Sequence, residues 1–457
     1  MATNIYLPIE IKRRELYSRI YFAIYASLKG HKVTIGRKTK FHDYCQFLEP
    51  GNYISKSLGA GSIEHLKKMK KLGHKVFYLN EEGLMSFNKD FTHRMVSLEG
   101  IELIDGVFTW GKNHLQEMME IFPKLKTKFM ITGNARIDIL KGNAKDYYRN
   151  EVYEIKKKYD NFFLVTTKFA KINYIKRKNI VDYYTNQISK GILPTSELKE
   201  ICKRSINHEK MNFQNLFIFL EKFSKQIPEK KIVILVHPGE DKNIYKQKLS
   251  NLKNVFIAEG DYSSNSWILS SDLVIQNNCT TSLEAFLLNK RSLQLNIFQD
   301  DLVEYMIPKK ISKNFSNNEN LINFLKKFSS KDQVSETEIN EIQKILSYYI
   351  ENIGTVSSVD LTLEKLSNLF IKKNIIQPNK FLIKFSHKLK ILIRKIFNTI
   401  YDTGQLHLAD SKFSGLGLED IQYWIDSITK ADNLDKKNFD IVESLPGLFT
   451  IKYKERI

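Results

Sequence analysis

Cysteine is scarce in this 457-residue chain: there are three, Cys45, Cys202 and Cys279, far apart and without a CxxC pair or a histidine-rich neighbour. That excludes a disulfide framework and argues against a structural zinc site, so a reducing compartment is expected. No uncharged apolar stretch approaches the roughly 18 residues of a membrane span, and no basic-then-apolar leader opens the chain, so export or insertion is not expected. Internal repeats and low-complexity tracts are lacking, as are an RNP-like aromatic strand and a zinc finger, which weighs against a nucleic-acid module. No DxD pair stands out for a metal; Asp300 and Asp301 read as surface acids in a loop, and no metal or cofactor is expected.

What the sequence has in excess is positive charge, 71 Lys and Arg against 51 Asp and Glu, a formal +20 that suits a polyanion or an anionic surface nearby. Apolar residues at 42% nevertheless give a globular composition, and the length suits two or three domains.

Periodicity supplies the plan. Leu16, Ile20, Ala23, Ile24, Ser27 and Leu28 recur at helical spacing until Gly30, and "HKVTIG" then reads as a strand. "LKKMKKLGHKVFYLNEEGL" repeats helix, glycine break and strand, and "GVFTWG" and "FMITGN" add two short β-rich runs. A second series runs through "NFFLVTT", a helix over 212–226, "KIVILV", "NVFIAEG", "DLVIQNN", a helix over 281–289 and "RSLQLN". Alternating strands and helices predict parallel sheets. The expected fold is α/β: a Rossmann-like domain over 1–145, a second over 146–330, the two facing a central cleft, and a helical extension over 331–457. Ligands in such folds sit outside the carboxyl ends of the strands.

The extension contains "NKFLIKFSHKLKILIRKIFNTIY" (379–401), with Leu382, Phe385, Leu389, Leu392, Ile393, Ile396 and Ile400 on one face and lysines and arginines elsewhere. It reads either as a helix packed on the N-terminal domain or as one lying on an anionic membrane surface.

Three polar clusters fall at strand ends. In "VILVHPGED" an aliphatic strand stops at His237 and Pro238; proline ends the ladder, and the imidazole is either a structural histidine or a donor to a phosphate oxygen. In "DLVIQNNCTTSLEAF" the strand delivers Asn278, and Thr280, Thr281 and Ser282 stand where a helix begins, with Glu284 a turn later. These hydroxyls either cap the helix, Glu284 completing a capping box, or bind an anion with the helix N–H groups. In "LNEEGLM", Glu81 and Glu82 precede Gly83, either as a solvated turn or as a carboxylate able to act as general base or to stabilise an oxocarbenium ion.

An acid-acid-glycine turn followed by an HP turn and a Ser/Thr-rich turn resembles bacterial GT-B transferases that use CMP-activated sialic acids or Kdo. Together "LPIEIKRREL", "NEEGL", "TGNARIDIL", "HPGE" and "NNCTTSLEA", spread over residues 7–285, are similar to the bacterial surface carbohydrate biosynthesis protein family, related to capsule and O-antigen Kdo transferases. The resemblance implies a glycosyltransferase with a nucleotide-sugar donor and a glycan or lipid-linked acceptor, in the cytoplasm or at the inner face of its membrane. It implies that His237 and the hydroxyls of Thr280, Thr281 and Ser282 hold the CMP phosphate, that Pro238 and Asn278 also belong to the nucleotide-sugar site, that Glu240 and Glu284 meet ribose or base, and that Glu81 or Glu82 is catalytic. Gly83, Gly133, Asn134 and Arg136 would line the cleft. Two departures stand out: "VHPGE" lacks the arginine common before the histidine, for which Lys168 or Lys171 in "VTTKFAKIN" is the candidate replacement, and "NARID" lacks the proline after its asparagine. Two other readings stay open: a UDP-sugar 2-epimerase-like enzyme, and a non-catalytic nucleic-acid- or glycan-binding protein.

Overall fold

The structure, a computed structural model, describes residues 3–81, 96–174, 196–329, 332, 334–366, 413 and 415–454. The described residues form two compact units, one up to Tyr147 together with those from Gln343 onward, the other from Tyr148 to Ile342.

In the first unit, strands β1 (Asn4–Ile9), β2 (Lys32–Arg37), β3 (Asn52–Ser55), β4 (Lys75–Leu79), β5 (Gly106–Thr109) and β6 (Phe129–Ile131) are parallel and ordered 2-1-3-4-5-6. The order reverses between β1 and β3, which makes that crevice the switch point of a doubly wound sheet. Helix α1 (Lys12–Leu28) links β1 to β2; of its predicted stripe all but Leu28 are buried, and Gly30, at φ +86°, ends it. The core below gathers Phe41, Tyr53, Val76, Val107 and Met118.

In the second unit, β7 (Phe163–Thr166), β8 (Ile232–Leu235), β9 (Val255–Ile257), β10 (Leu273–Gln276), β11 (Ser292–Leu295) and β12 (Lys313–Phe315) form an all-parallel sheet in the spatial order β9-β8-β7-β10-β11-β12. Counted from its own first strand this is 3-2-1-4-5-6, the Rossmann order, with the reversal between β7 and β10. Its inner strands β7, β10 and β11 are buried on both faces, as parallel strands under two helical layers must be, while the edge strands β9 and β12 carry exposed residues. Phe219 and Phe223 of the helix Ser196–Gln226 fill one side against Phe163, Ile232 and Leu273.

The expectation of a helical extension is corrected. After the helices Glu336–Tyr349, Ser358–Lys365 and Leu418–Ala431, strands β13 (Phe439–Leu445) and β14 (Leu448–Tyr453) form a hairpin, and β14 pairs antiparallel with β2 at the edge of the first sheet. Leu448, Phe449 and Ile451 of "LFTIKY" are buried while Thr450 and Lys452 are half-buried, and Gly447, at φ +74°, makes the turn. The 379–401 stretch lies outside the described residues. Among the described residues no helix is long and apolar enough to cross a membrane.

Candidate functional site

The carboxyl ends of β7 and β8 are tied by one buried acid. Glu240 Oε1 accepts from the Thr167 hydroxyl (3.0 Å) and from the Phe169 N–H (2.8 Å), while Oε2 accepts from the Tyr245 hydroxyl. Burial pushes its carboxyl up to about 7 despite these donors. The Thr167 oxygen accepts the His237 N–H at 2.9 Å, so a chain of bonds runs from Glu240 through Thr167 to the HP turn. The assignment of Glu240 to a ribose or base is therefore corrected: it is 1% exposed and both oxygens are engaged inside the protein.

His237 is half-buried beside Pro238. Its Nδ1 accepts the Gly239 N–H at 3.1 Å, which leaves the ring proton of the neutral imidazole on Nε2, the donor position. Lys168 follows Thr167 at the switch point between β7 and β10. Its ammonium donates to the Asn278 carbonyl at 2.9 Å and lies 3.7 Å from the centre of the Tyr305 ring. Burial, aided by the charge of Lys171, pulls Lys168 down to about 7, so an anion placed beside it returns the charged form. Lys171 instead pairs with Glu209 at 2.7 Å and bonds Ser205. Of the two candidate replacements for the missing arginine, Lys168 is the one at the crevice.

Beyond β10 the chain turns sharply. Asn278 takes φ +46°, and its amide side chain closes a reciprocal pair with the Tyr305 backbone. That side chain is buried structural glue, a correction to its expected place among ligand contacts; only its carbonyl, through Lys168, serves the crevice. Thr280 occupies the position before the helix Thr281–Leu287 and makes no side-chain cap bond, so the alternative of a capping box is not formed. The turn is closed by Gln276, whose side-chain oxygen accepts the Cys279 N–H at 2.6 Å, and by Ser282, whose hydroxyl donates to the Cys279 carbonyl at 3.0 Å. Thr281 lies 3.1 Å from the Cys279 sulfur, and Glu284 is buried in the first turn.

In the first unit two sequence motifs meet. Glu81 forms a buried ion pair with Arg19, and its other oxygen accepts from Asn134 at 3.4 Å. Arg136 donates to the Glu81 carbonyl at 3.0 Å, and the Asn134 side chain also caps the helix Ala135–Asp138. Gly133, at φ +70°, lets Asn352 approach; a Cβ there would lie 2.1 Å from the Asn352 amide oxygen. That asparagine accepts the Asn134 N–H and donates to Asp138. At the β1/β3 switch point, Lys56 is bound to Glu15, and Glu15 also meets Arg14; burial works against the Glu15 charge, but these cations hold its carboxyl below the usual range. Glu82 and Gly83 lie outside the described residues. Among the described residues no group of three or more His, Cys, Asp and Glu is placed to hold a metal ion.

Sequence reading found the motifs but not their partners Arg19, Lys56, Thr167, Tyr245 and Asn352. "LPIEIKRREL" carried half of a signal for the first unit: its Glu15 lies one helical turn before Arg19, which stands outside the motif, and both side chains are buried.

Two Rossmann-like units in one chain, each on six parallel strands that in the first are extended by an antiparallel hairpin, make this an α/β protein of GT-B-like fold. No family model matches the sequence, and no curated protein matches it. Among solved structures, the wall teichoic acid polymerase TagF is similar at 10% identity and TM-score 0.49, over 79% of this chain and 87% of that one. UDP-GlcNAc 2-epimerase of Methanocaldococcus jannaschii, in complex with UDP-GlcNAc and UDP, is similar at 14% identity and TM-score 0.43, over 76% and 100%. Anabaena HepE, in complex with UDP and glucose, is similar at 10% identity and TM-score 0.42, over 79% and 97%. These are likenesses of fold.

Proposed function

We propose that this protein is a glycosyltransferase of surface polysaccharide biosynthesis, moving a CMP-activated Kdo-like or nonulosonic acid sugar onto a glycan or lipid-linked acceptor. The observation that carries the reading is the placement of two polar groups at the carboxyl ends of adjacent strands: Lys168, next to Thr167 after β7, with its ammonium on the Asn278 carbonyl, and the His237 turn after β8, whose N–H donates to the Thr167 hydroxyl. A phosphate there would meet a cation held near its titration point and an Nε2–H donor, the groups that stabilise the charge growing on a departing CMP. The acceptor hydroxyl attacks the anomeric carbon, the bond from that carbon to the CMP oxygen breaks, and CMP leaves with the electron pair. Such sugars carry their own carboxylate, so cations and N–H donors suffice for the chemistry without a metal.

A base must take the acceptor proton. Glu81 is matched to Arg19 and Asn134, which favours Glu82 as the acid that meets the acceptor. The +20 charge supports a partner at an anionic membrane surface, where a lipid-linked acceptor would lie.

Thermal shift with CMP and with UDP tests the donor. Stabilisation by CMP, lost in Lys168→Ala and His237→Ala, is the expected outcome. Stabilisation by UDP with none by CMP turns the reading toward a UDP-sugar enzyme of the 2-epimerase type.

A further inference from the structure

We infer that Glu240 is a positioning residue that sets Lys168 and the His237 turn in one fixed relation, so that both reach the same phosphate. This rests on the reading of that crevice as the nucleotide site and goes beyond it by naming what holds the site in register.

The two segments involved are 70 residues apart, and each is short and irregular. Residues 167–174 leave β7, and residues 236–241 leave β8. Their backbones zip together further out, where the Asp241 N–H donates to the Asn173 carbonyl at 3.0 Å, the Asn173 amide returns a bond to the Asp241 carbonyl at 3.1 Å, and Tyr174 bridges Glu240. At the inner end, beside the strands, the join is made by the Glu240 side chain. Its Oε1 takes two donors that flank Lys168, the Thr167 hydroxyl on one side and the Phe169 N–H on the other. Lys168 is thus pinned between two bonds to one atom. The same Thr167 hydroxyl has a single proton, committed to Glu240, so its oxygen faces the His237 N–H as an acceptor. If the acid is lost, the hydroxyl is free to rotate and the orientation of both elements goes with it. Tyr245 on Oε2 fixes the carboxylate itself. A buried carboxyl pushed up by desolvation is retained here because it serves three donors at once.

The distribution of bonds makes the conservative replacement informative. Both crevice donors use Oε1, and only Tyr245 uses Oε2. In Glu240→Gln the amide oxygen can keep both crevice bonds, while the amide NH2 donates to the Tyr245 oxygen. In Glu240→Ala both are lost.

The test is CMP and UDP binding to the full chain, by calorimetry and thermal shift. Glu240→Ala is expected to weaken whichever nucleotide binds by about tenfold, and Glu240→Gln to stay within about twofold of the parent. If Glu240 acts through Lys168 and His237, the alanine effect shrinks when introduced into Lys168→Ala or His237→Ala, which a general loss of stability does not produce. Thr167→Val keeps the side-chain shape and breaks the link to His237; it carries the test if Glu240→Ala does not fold, with the same loss expected. Binding that needs Lys168 but is indifferent to Glu240→Ala and Thr167→Val overturns this inference and leaves the nucleotide reading standing. Parent protein that binds neither CMP nor UDP overturns both.

Discussion

At the scale of single residues, the molecule places charge where water is scarce. Arg19 and Glu81 have side chains 4% and 3% exposed. Such a pair adds little net stability, but removing one member leaves the other stranded. Arg19→Ala is expected to destabilise the first unit by about 3–5 kcal/mol, whereas Arg19→Met with Glu81→Gln costs much less. Urea denaturation of both variants measures it; equal losses would mean that Glu81 is not held by Arg19. Glu240 supplies a pH signature. Its ordinary value of 4.5 rises to about 7 in the folded chain, so between these values the folded protein holds a proton that the unfolded chain has released. This contribution is complete below about 4.5 and is lost as pH rises through about 7. It amounts to roughly 3 kcal/mol across that window. Glu240→Gln cannot titrate, so the stability difference between parent and variant, followed by denaturant unfolding from pH 4.5 to 8, should shift by that amount in the parent's disfavour as pH rises.

At the scale of elements, the hairpin β13–β14 closes the β2 edge of the first sheet, and one small residue permits the join. A Cβ on Gly36 would lie 2.5 Å from the Gly447 carbonyl oxygen and 2.6 Å from a Leu448 methyl carbon, so Gly36→Ala must push β14 away from β2. A loss of about 1–3 kcal/mol is expected, with faster amide exchange at Thr450 and Ile451, since crowding a packed site costs about that much. This join was illegible in the sequence because nothing in "FTIKY" says which edge it will find, Thr450 meeting Thr34 across 416 residues. The strands of the second sheet from β7 to β11, and β2, β4, β5 and β6 of the first, were legible as apolar runs ended by glycine or polar residues. Two central strands were not. β1 contains Pro8, which argues against a central strand; the chain tolerates it because β1 pairs with β3 only at Ile5 and Tyr6. β3 is four residues with Asn52 and Ser55 at its ends, too short for a period to show. The candidate site divides the same way. His237, Lys168 and the Glu81 turn announce themselves by position at strand ends, but Arg19 and Asn352 arrive from elsewhere in the chain, and spacing within a motif carries no trace of such partners.

At the scale of the whole molecule, each unit has its own apolar core, Tyr53, Val76 and Val107 in the first and Phe163, Ile232 and Leu273 in the second. A chain built so can open one unit without the other. The candidate nucleotide site belongs entirely to the second unit: Lys168, Thr167, His237, Glu240 and Asn278 all lie between Tyr148 and Ile342. A ligand stabilises only the state that binds it, by about 2.7 kcal/mol at one hundred times its Kd. Saturating nucleotide should therefore slow exchange of the slowest amides in β7, β8 and β10 of the second sheet by about a hundredfold. The slowest amides of β1, β4 and β5 should change little. Native-state hydrogen exchange with and without CMP reads both sets in one experiment. Equal slowing in the two sheets would mean that the units unfold as one, and slowing confined to the first sheet would place the nucleotide away from Lys168 and His237.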